Sequence, residues 1–188
     1  MLFANVVDPA ACIDTSTSGT VVENSNPTLN ITPSSTSLCS DGSINIDADA
    51  SGSNLTYAWT PGGETGPDID VSTGGDFGVT VTNSVTGCNA SGQVSITEYQ
   101  TPENVTINSD DLSLCPGESS TLTANATGFT GSDGYTYTWY LNSVGVGNEV
   151  NTSTDNIYST GTQGDYIVVV SNNASGGVCS DTSGSASV

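Results

Sequence analysis

The cysteines of this chain follow a repeating spacing. Cys12 and Cys39 are 27 residues apart, and Cys88 and Cys115 are separated by the same 27 residues. The apolar residues that follow the first cysteine of each pair also keep one register. The matched positions are Leu29 with Val105, Ile31 with Ile107, Leu38 with Leu114 and Ile46 with Leu122. A fixed period of this kind indicates a duplicated module, which restricts the chain to folds built from small repeated domains.

Each copy of the repeat has the pattern of a set of short strands. Segments such as LTYAW and YTYTW alternate, and FGVTVT and YIVVVS are rich in β-branched residues. Gly, Pro and Asp-Gly turn signals separate these segments, and no long stretch has the periodicity of a helix. About seven short strands per copy predict an all-β fold of tandem immunoglobulin-like β-sandwiches.

The repeat also predicts the domain organisation. Residues 26–99 form a first immunoglobulin-like module and residues 100–188 form a second. Residues 1–25 match the end of each module, and we predict that they are an extra N-terminal β-hairpin closing a preceding, incomplete module. An isolated hairpin is only marginally stable in water. It either belongs to a longer array, docks onto a neighbouring molecule by strand complementation, or folds back onto its own chain.

The cysteine positions within each module predict two disulfides. Cys39 and Cys115 precede the second strand, whereas Cys88 and Cys179 precede the last strand. We therefore expect Cys39 to pair with Cys88 and Cys115 with Cys179, each bond contributing roughly 4 kcal/mol in the chain-entropy description. Cys12 is left unpaired or intermolecular, with its partner expected in a module that precedes residue 1.

Four aromatic residues are predicted to be structural. Trp59 and Trp139 lie on the central strand of each module, where an indole fills the space between the sheets. Phe77 and Tyr166 open the next-to-last strand, where such sandwiches often place an aromatic corner residue. We assign all four to the core.

The charge composition excludes several functions. The chain has no Lys, Arg or His and twenty acidic side chains, for a formal charge of −20. Nucleic-acid binding and binding to anionic membrane surfaces both need cationic side chains. No stretch is long and apolar enough to insert into a membrane, and a catalytic centre that depends on histidine is excluded. Five cysteines in a Ser/Thr-rich chain favour an oxidising, extracellular location.

Other candidate sites are compositional. Seven Asn-x-Ser/Thr sequons are candidate glycosylation acceptors, at Asn30, Asn54, Asn89, Asn104, Asn125, Asn151 and Asn173. Oxygen ligands that suit calcium occur at Asp47, Asp49, Asp68, Asp70 and Asp76, but they form no recognisable calcium loop. We therefore predict no metal site and no cofactor. Calcium is the only cofactor for which the sequence offers candidate ligands. No carboxylate pair lies in apolar surroundings, so we predict no catalytic residues and no enzymatic activity.

The landmarks of the repeat resemble a known group of proteins. LCSDGSINIDA and LCPGESSTLTANATG begin the two copies, and Tyr-x-Trp, Gly-Asp-[Phe/Tyr]-x-Val-x-Val and a Gly-x-Cys or Gly-Val-Cys follow. This series resembles the immunoglobulin-like and PKD-like repeats of very large surface adhesins of the Bacteroidetes, including gliding adhesins. The resemblance implies export across the outer membrane, display on the cell surface and no catalytic residues.

Together these observations predict an extracellular structural or adhesive repeat unit of a long cell-surface adhesin or filament. Its expected partners are neighbouring copies or modules of the same protein and a surface glycan or receptor. The alternative is a carbohydrate-binding accessory module of a secreted protein. That function needs exposed aromatic side chains, and the candidates are Tyr99, Tyr135, Tyr140 and Tyr158.

Overall fold

A computed structural model describes residues 19–128, 134–175 and 179–188 of the chain. Cys12 and most of the predicted N-terminal hairpin lie outside these residues, and residues 19–25 contain no strand. The regular structure of the described residues is β-strand apart from one 3₁₀ turn, Asn173–Ser175. No described helix is long and apolar enough to cross a membrane.

The first sandwich is built from two facing sheets. Its strands are β1 (Thr28–Pro33), β2 (Ser37–Cys39), β3 (Ile44–Ser51), β4 (Leu55–Thr60), β5 (Asp68–Val71), β6 (Gly75–Asn83) and β7 (Asn89–Tyr99). One sheet has the order β1-β3-β5 and the other the order β2-β7-β6-β4. The neighbouring strands are antiparallel except β2 and β7, which run parallel and bring Cys39 opposite Tyr99.

The second sandwich repeats this plan with two changes. Its strands are β8 (Glu103–Ser109), β9 (Ser120–Thr127), β10 (Tyr135–Leu141), β11 (Glu149–Ser153), β12 (Ile157–Thr160), β13 (Asp165–Asn172), β14 (Ser180–Thr182) and β15 (Ala186–Ser187). The sheets have the orders β12-β9-β8 and β11-β10-β13-β14, with β15 also paired to β13. β11 has no counterpart in the first sandwich, and residues 113–115, which match β2, are not in a strand.

Each sandwich has its own apolar core. Alternation along the strands produces these cores: in β13, for example, Tyr166, Val168 and Val170 point inward and are fully buried. The two tryptophans are central, with Trp59 1 % and Trp139 0 % exposed. Phe77 and Tyr166 are buried as well. All four aromatic side chains therefore lie where the sequence predicts.

Tyr166 forms the aromatic corner of the second sandwich. Its hydroxyl shares a hydrogen bond of 2.7 Å with Thr160 Oγ1 and donates to the carbonyl of Thr162 at 2.8 Å. A buried tyrosine near the start of this strand, bonded to backbone a few residues upstream, is a hallmark of immunoglobulin-like sandwiches. The bond fastens the β12–β13 connection to the core.

Candidate functional site: the disulfide-linked junction between the sandwiches

The two sandwiches are joined by a disulfide as well as by the chain. Cys39, the last residue of β2, is bonded to Cys179, the residue that precedes β14. The Cα atoms are 5.5 Å apart, and 140 positions separate the two residues in the sequence. The bond therefore closes a loop that contains most of the first sandwich and most of the second.

The predicted pairing of Cys39 with Cys88 and of Cys115 with Cys179 is wrong. β7 starts next to Cys88 and ends at Tyr99, the residue opposite Cys39. Eleven residues of extended strand cover about 33 Å, whereas disulfide-bonded Cα atoms lie within about 7 Å. The sequence shows that each cysteine precedes a strand, but β3 and β7 start at opposite ends of the sandwich. Cys88 is a half-buried free thiol and Cys115 an exposed one.

The short connection between the sandwiches is held by the first of them. The backbone N–H of Thr101 donates to Ser40 Oγ at 3.0 Å. The Thr101 hydroxyl donates to Asp41 Oδ1 at 2.6 Å. Thr101 and the following Pro102 are buried. A buried proline has a fixed φ and no N–H to satisfy, so this connection is rigid and not a free hinge.

The second sandwich holds the same connection from the other side. Asn172, at the end of β13, is 2 % exposed, and its Nδ2 donates to the carbonyl of Gln100 at 2.9 Å. The Asn172 carbonyl accepts from Ser175 Oγ, which in turn accepts from the backbone N–H of Cys179 at 3.0 Å. One chain of hydrogen bonds thus runs from the linker to the disulfide.

The described part of the junction has two cavities, and one of them lies beside the disulfide. It measures about 140 Å³ and is lined by Ser35, Ser37, Leu38, Cys39, Tyr99, Ser175 and Cys179. Sites for drug-sized ligands are usually about 300 Å³ or larger. The cavity beside the disulfide is therefore too small for such a ligand. The second cavity lies beside the linker and measures about 460 Å³; it is open to solvent and is lined mainly by polar residues, Ser40, Asp41, Thr101, Pro102, Glu103, Asn104, Ser180 and Asp181.

Three of the five acidic residues considered for calcium accept hydrogen bonds from neighbouring side chains. Asn45 Nδ2 donates to Asp68 Oδ2 at 2.9 Å and to Asp70 Oδ1 at 3.0 Å. Asp76 accepts from the hydroxyl of Ser95. Asp47 lies opposite Asp68, and Asp49 lies elsewhere on the same strand, opposite Asn30. Across the part of the chain that the structure describes, no group of three or more His, Cys, Asp or Glu residues is placed to hold a metal ion.

The pKa of one carboxyl group, that of Asp110, is changed by its hydrogen bonds. Asp110 Oδ1 accepts from the backbone N–H of Thr121 at 2.6 Å and from Ser120 Oγ at 3.1 Å. The hydrogen bond from the Thr121 backbone is the main reason why the pKa of Asp110 is lowered. This arrangement links the end of β8 to β9.

The tyrosines considered for sugar stacking are all half-buried. This holds for Tyr99, Tyr135, Tyr140 and Tyr158. Tyr158 packs against the core with its ring stacked on Trp139, and the two ring centroids are 5.8 Å apart. Tyr135 also contacts the core. Burial raises the pKa of Tyr135 and of its neighbour Tyr137. Trp139 covers one ring face of Tyr158, which leaves that tyrosine poorly placed for sugar stacking.

The candidate glycosylation acceptors are mostly accessible. Six of them are exposed, namely Asn30, Asn54, Asn89, Asn104, Asn125 and Asn173, whereas Asn151 is half-buried. Their use as glycan sites stays a prediction.

Sequence reasoning missed the junction. It assigned no role to Ser40, Asp41, Thr101 or Asn172, because their partners lie in another module. The direction of the strands is the feature of the sequence from which the junction could have been predicted. Following the chain from β1 to β7 places one cysteine at each end of a sandwich, and this arrangement points to bonding between modules.

Comparison with solved structures identifies the fold. The chain is 11% identical to one chain in the crystal structure of a mouse coronavirus receptor-binding domain complexed with its murine receptor, with a TM-score of 0.52 over 85% of this chain and 98% of that one. It is 14% identical to murine CEACAM1b, with a TM-score of 0.50 over 86% and 98%. The three N-terminal domains of the Hoc protein of bacteriophage RB49 are 19% identical, with a TM-score of 0.41. That match covers 84% of this chain and 58% of the Hoc chain.

The first two likenesses support an all-β, immunoglobulin-like fold, and identities this low establish nothing beyond it. No protein-family model matches the sequence, and no curated protein matches it significantly. The resemblance to Bacteroidetes adhesin repeats therefore stays a prediction beyond the fold itself.

Proposed function

We propose that this chain is an extracellular, non-catalytic, load-bearing repeat unit of a long cell-surface adhesin or filament. The observation that carries this proposal is the disulfide between Cys39 and Cys179, which crosses from one sandwich to the other. A bond in this place adds no contact within either core, since it joins the two sandwich ends that lie beside the linker. Its effect is on how the pair of modules transmits force.

Tension applied along the chain follows the shortest covalent path. With the disulfide formed, that path passes from β2 through the two sulfur atoms to β14. Residues 40–178 lie outside the path and carry no load while the bond is intact. Even if a core opened, those residues could not extend.

The surface chemistry supports an extracellular location and a structural role. A chain without Lys or Arg offers no cleavage site to trypsin-like proteases, and a charge of −20 opposes non-specific association. Stable disulfides form and persist in oxidising compartments. The unit is proposed to need no cofactor, so its thermal midpoint should be the same in calcium and in EDTA.

Single-molecule force spectroscopy tests this function. A chain held by its termini, with free thiols alkylated, should show no gain in length from residues 40–178. After reduction, the same pull should release about 480 Å more contour length, at roughly 3.4 Å for each of the 140 bypassed steps.

A chain that extends equally with and without reductant would contradict the proposal. Alkylated Cys39→Ser/Cys179→Ser protein is the matched control, because it should behave like the reduced chain in both conditions. Microscopy of native cell surfaces provides the cellular test: the protein should lie in extended threads.

A further inference from the structure

The free cysteines Cys88 and Cys115 are equivalent, within their own sandwiches, to the two cysteines that form the junction disulfide. Cys88 is the counterpart of Cys179: each accepts a backbone hydrogen bond at its carbonyl from the asparagine that ends the preceding strand. The distances are 2.8 Å from Asn83 N to Cys88 O and 2.9 Å from Asn172 N to Cys179 O. The closing hairpins of the two sandwiches therefore hold their cysteines in the same way.

Cys115 is likewise the counterpart of Cys39. Each cysteine carbonyl accepts from the backbone N–H three residues later, at 2.8 Å from Gly42 and at 3.0 Å from Glu118. The segments before them also match. Ser37 N donates to the side chain of Ser35, and Ser113 N donates to the side chain of Asp111.

The two free thiols lie at the two outer ends of the described pair. Cys88 lies beside the segment that enters the first sandwich, with Sγ 3.6 Å from the carbonyl of Asn24. Cys115 belongs to the opposite end of the second sandwich. There the Glu118 carbonyl packs against Gly161, and β13 begins next to the last residues of the chain. Each sandwich thus has one cysteine at its entry end and one at its exit end.

Both outer ends also expose a large apolar side chain next to the free thiol. Val85 is 75% exposed in the turn before Cys88, and Leu112 is 65% exposed in the loop before Cys115. At the existing junction, the same two elements lie next to each other. One small cavity is shared by Ser175, which comes before Cys179, and by Ser35, Ser37 and Leu38, which come before Cys39.

We propose that Cys88 and Cys115 are the open halves of further junction disulfides, and that a second copy of this chain occupies each end. Cys115 of one copy bonds to Cys88 of the next, as Cys39 bonds to Cys179 within the chain. The proposal rests on the proposed load-bearing function and adds the partner and the chemistry of the connection. A head-to-tail contact of this kind joins two different surfaces, so each added copy leaves a free end to which a further copy can bond.

The bond forms by thiol–disulfide exchange with a low-molecular-weight disulfide oxidant. The Cys115 thiolate attacks one sulfur of the oxidant and releases one thiol. The Cys88 thiolate of the next copy then attacks Cys115 Sγ and releases the second thiol. One Sγ–Sγ bond forms, and the oxidant takes up two electrons and two protons. Oxidised glutathione serves as the oxidant in the test.

The experiment uses the full chain with Cys12→Ser, at physiological or higher ionic strength because two chains of charge −20 must approach each other. In this background, Cys88→Ser leaves only the thiol of Cys115, and Cys115→Ser leaves only that of Cys88. Each protein is oxidised alone and as an equal mixture, and the products are separated on non-reducing gels. A parallel oxidation of the unmodified chain is digested and mapped.

A glutamate-specific protease makes the mapping unambiguous. The chain has no tryptic site, but its glutamates place the five cysteines on five different peptides. These cleavage positions are Glu23, Glu64, Glu98, Glu103, Glu118 and Glu149. The diagnostic product is peptide 65–98 joined to peptide 104–118.

We expect a ladder of multimers from the Cys12→Ser chain. Either single-thiol variant alone should form little dimer, whereas their mixture should form dimer as its main product. Equal dimer yields from the separate variants and from the mixture would overturn the proposal, because pairing would then be unselective. A lack of cross-linking would overturn it too. In the unmodified chain, a main product joining Cys115 to Cys12 would overturn the assignment to Cys88.

Failure here is distinguishable from failure of the proposed function. The force measurement depends only on Cys39 and Cys179 with the other thiols blocked. If the force result holds and no selective cross-link forms, the load-bearing role stands and the array disulfide does not.

Discussion

Trp59 and Trp139 occupy equivalent central positions in the two sandwiches, but only one of them has a partner for its indole N–H. Trp59 Nε1 donates to the carbonyl of Gly66 at 3.0 Å. Trp139 Nε1 is buried without a hydrogen bond, and so is Asn151 Oδ1 opposite it on the neighbouring strand. An unpaired buried polar group costs free energy, so the two indoles should differ in how much their N–H groups matter.

Replacing each tryptophan in turn with phenylalanine should show whether the hydrogen bond of the Trp59 indole stabilises the fold. Both changes remove similar volume from a core, but Trp59→Phe also leaves the Gly66 carbonyl without its donor. We expect Trp59→Phe to lower the free energy of unfolding by about 1–2 kcal/mol more than Trp139→Phe does. Urea unfolding followed by far-UV circular dichroism measures both, and each variant is the control for the other. Equal losses would show that the hydrogen bond contributes nothing.

Removing the junction disulfide should loosen the pair without unfolding either sandwich. In Cys39→Ser/Cys179→Ser protein, only the linker and its hydrogen bonds remain to fix the orientation. We expect unchanged circular dichroism and a broader range of dimensions in small-angle X-ray scattering. Cys88→Ser/Cys115→Ser protein, measured as a monomer, is the matched control and should scatter like the unmodified monomer. Identical scattering from all three proteins would mean that the hydrogen bonds alone hold the junction.

Asp110 should make stability depend on pH in a defined direction. Its pKa is lowered in the folded state, chiefly by the hydrogen bond from the Thr121 backbone. A lowered pKa means that the carboxylate stabilises the fold above its unfolded value of about 4 and loses this effect as the pH falls through the folded value. Asp110→Asn should therefore reduce the urea midpoint at pH 7.

The loss of stability caused by Asp110→Asn should shrink as the pH falls below about 4. Once the pH is below the lowered pKa of Asp110, both proteins carry a neutral group at this position. Comparing the variant with the unmodified chain at each pH cancels the protonation of the other acidic residues. Asp155→Asn at an exposed turn is the control, and we expect little change at any pH. A deficit that stays constant from pH 7 to pH 3 would rule out the charge as its cause.

The hydroxyl of Tyr166 should matter more than that of other tyrosines. It is buried and bonded to both Thr160 and Thr162, so Tyr166→Phe leaves the buried Thr160 hydroxyl and the Thr162 carbonyl with one partner fewer each. We expect a loss of about 1–2 kcal/mol in unfolding free energy. Tyr57→Phe, in a half-buried tyrosine on β4, is the control and should cost much less. Similar losses in both variants would argue against a structural role for the corner hydrogen bond.

The sequence predicts much of what lies inside one module. Alternation in INIDADA and DYIVVVSN orients Ile46 and Val168 inward, because side chains on a strand point to opposite faces at every second residue. The aromatic positions follow from the same local pattern. The calcium ligands and sugar-stacking tyrosines could not be judged in this way, since their exposure and partners depend on neighbouring strands.

The sequence by itself determined the duplication, the all-β class and the buried aromatic residues, because these depend on local periodicity and on spacing within one repeat. Only the tertiary structure decided which cysteines meet. Cys39 and Cys179 are 140 positions apart, and they are brought together by the direction of β2 and β14 and by a linker held rigidly through Thr101 and Asn172. Proximity between modules depends on where the strand ends lie in space, and no sequence period records that.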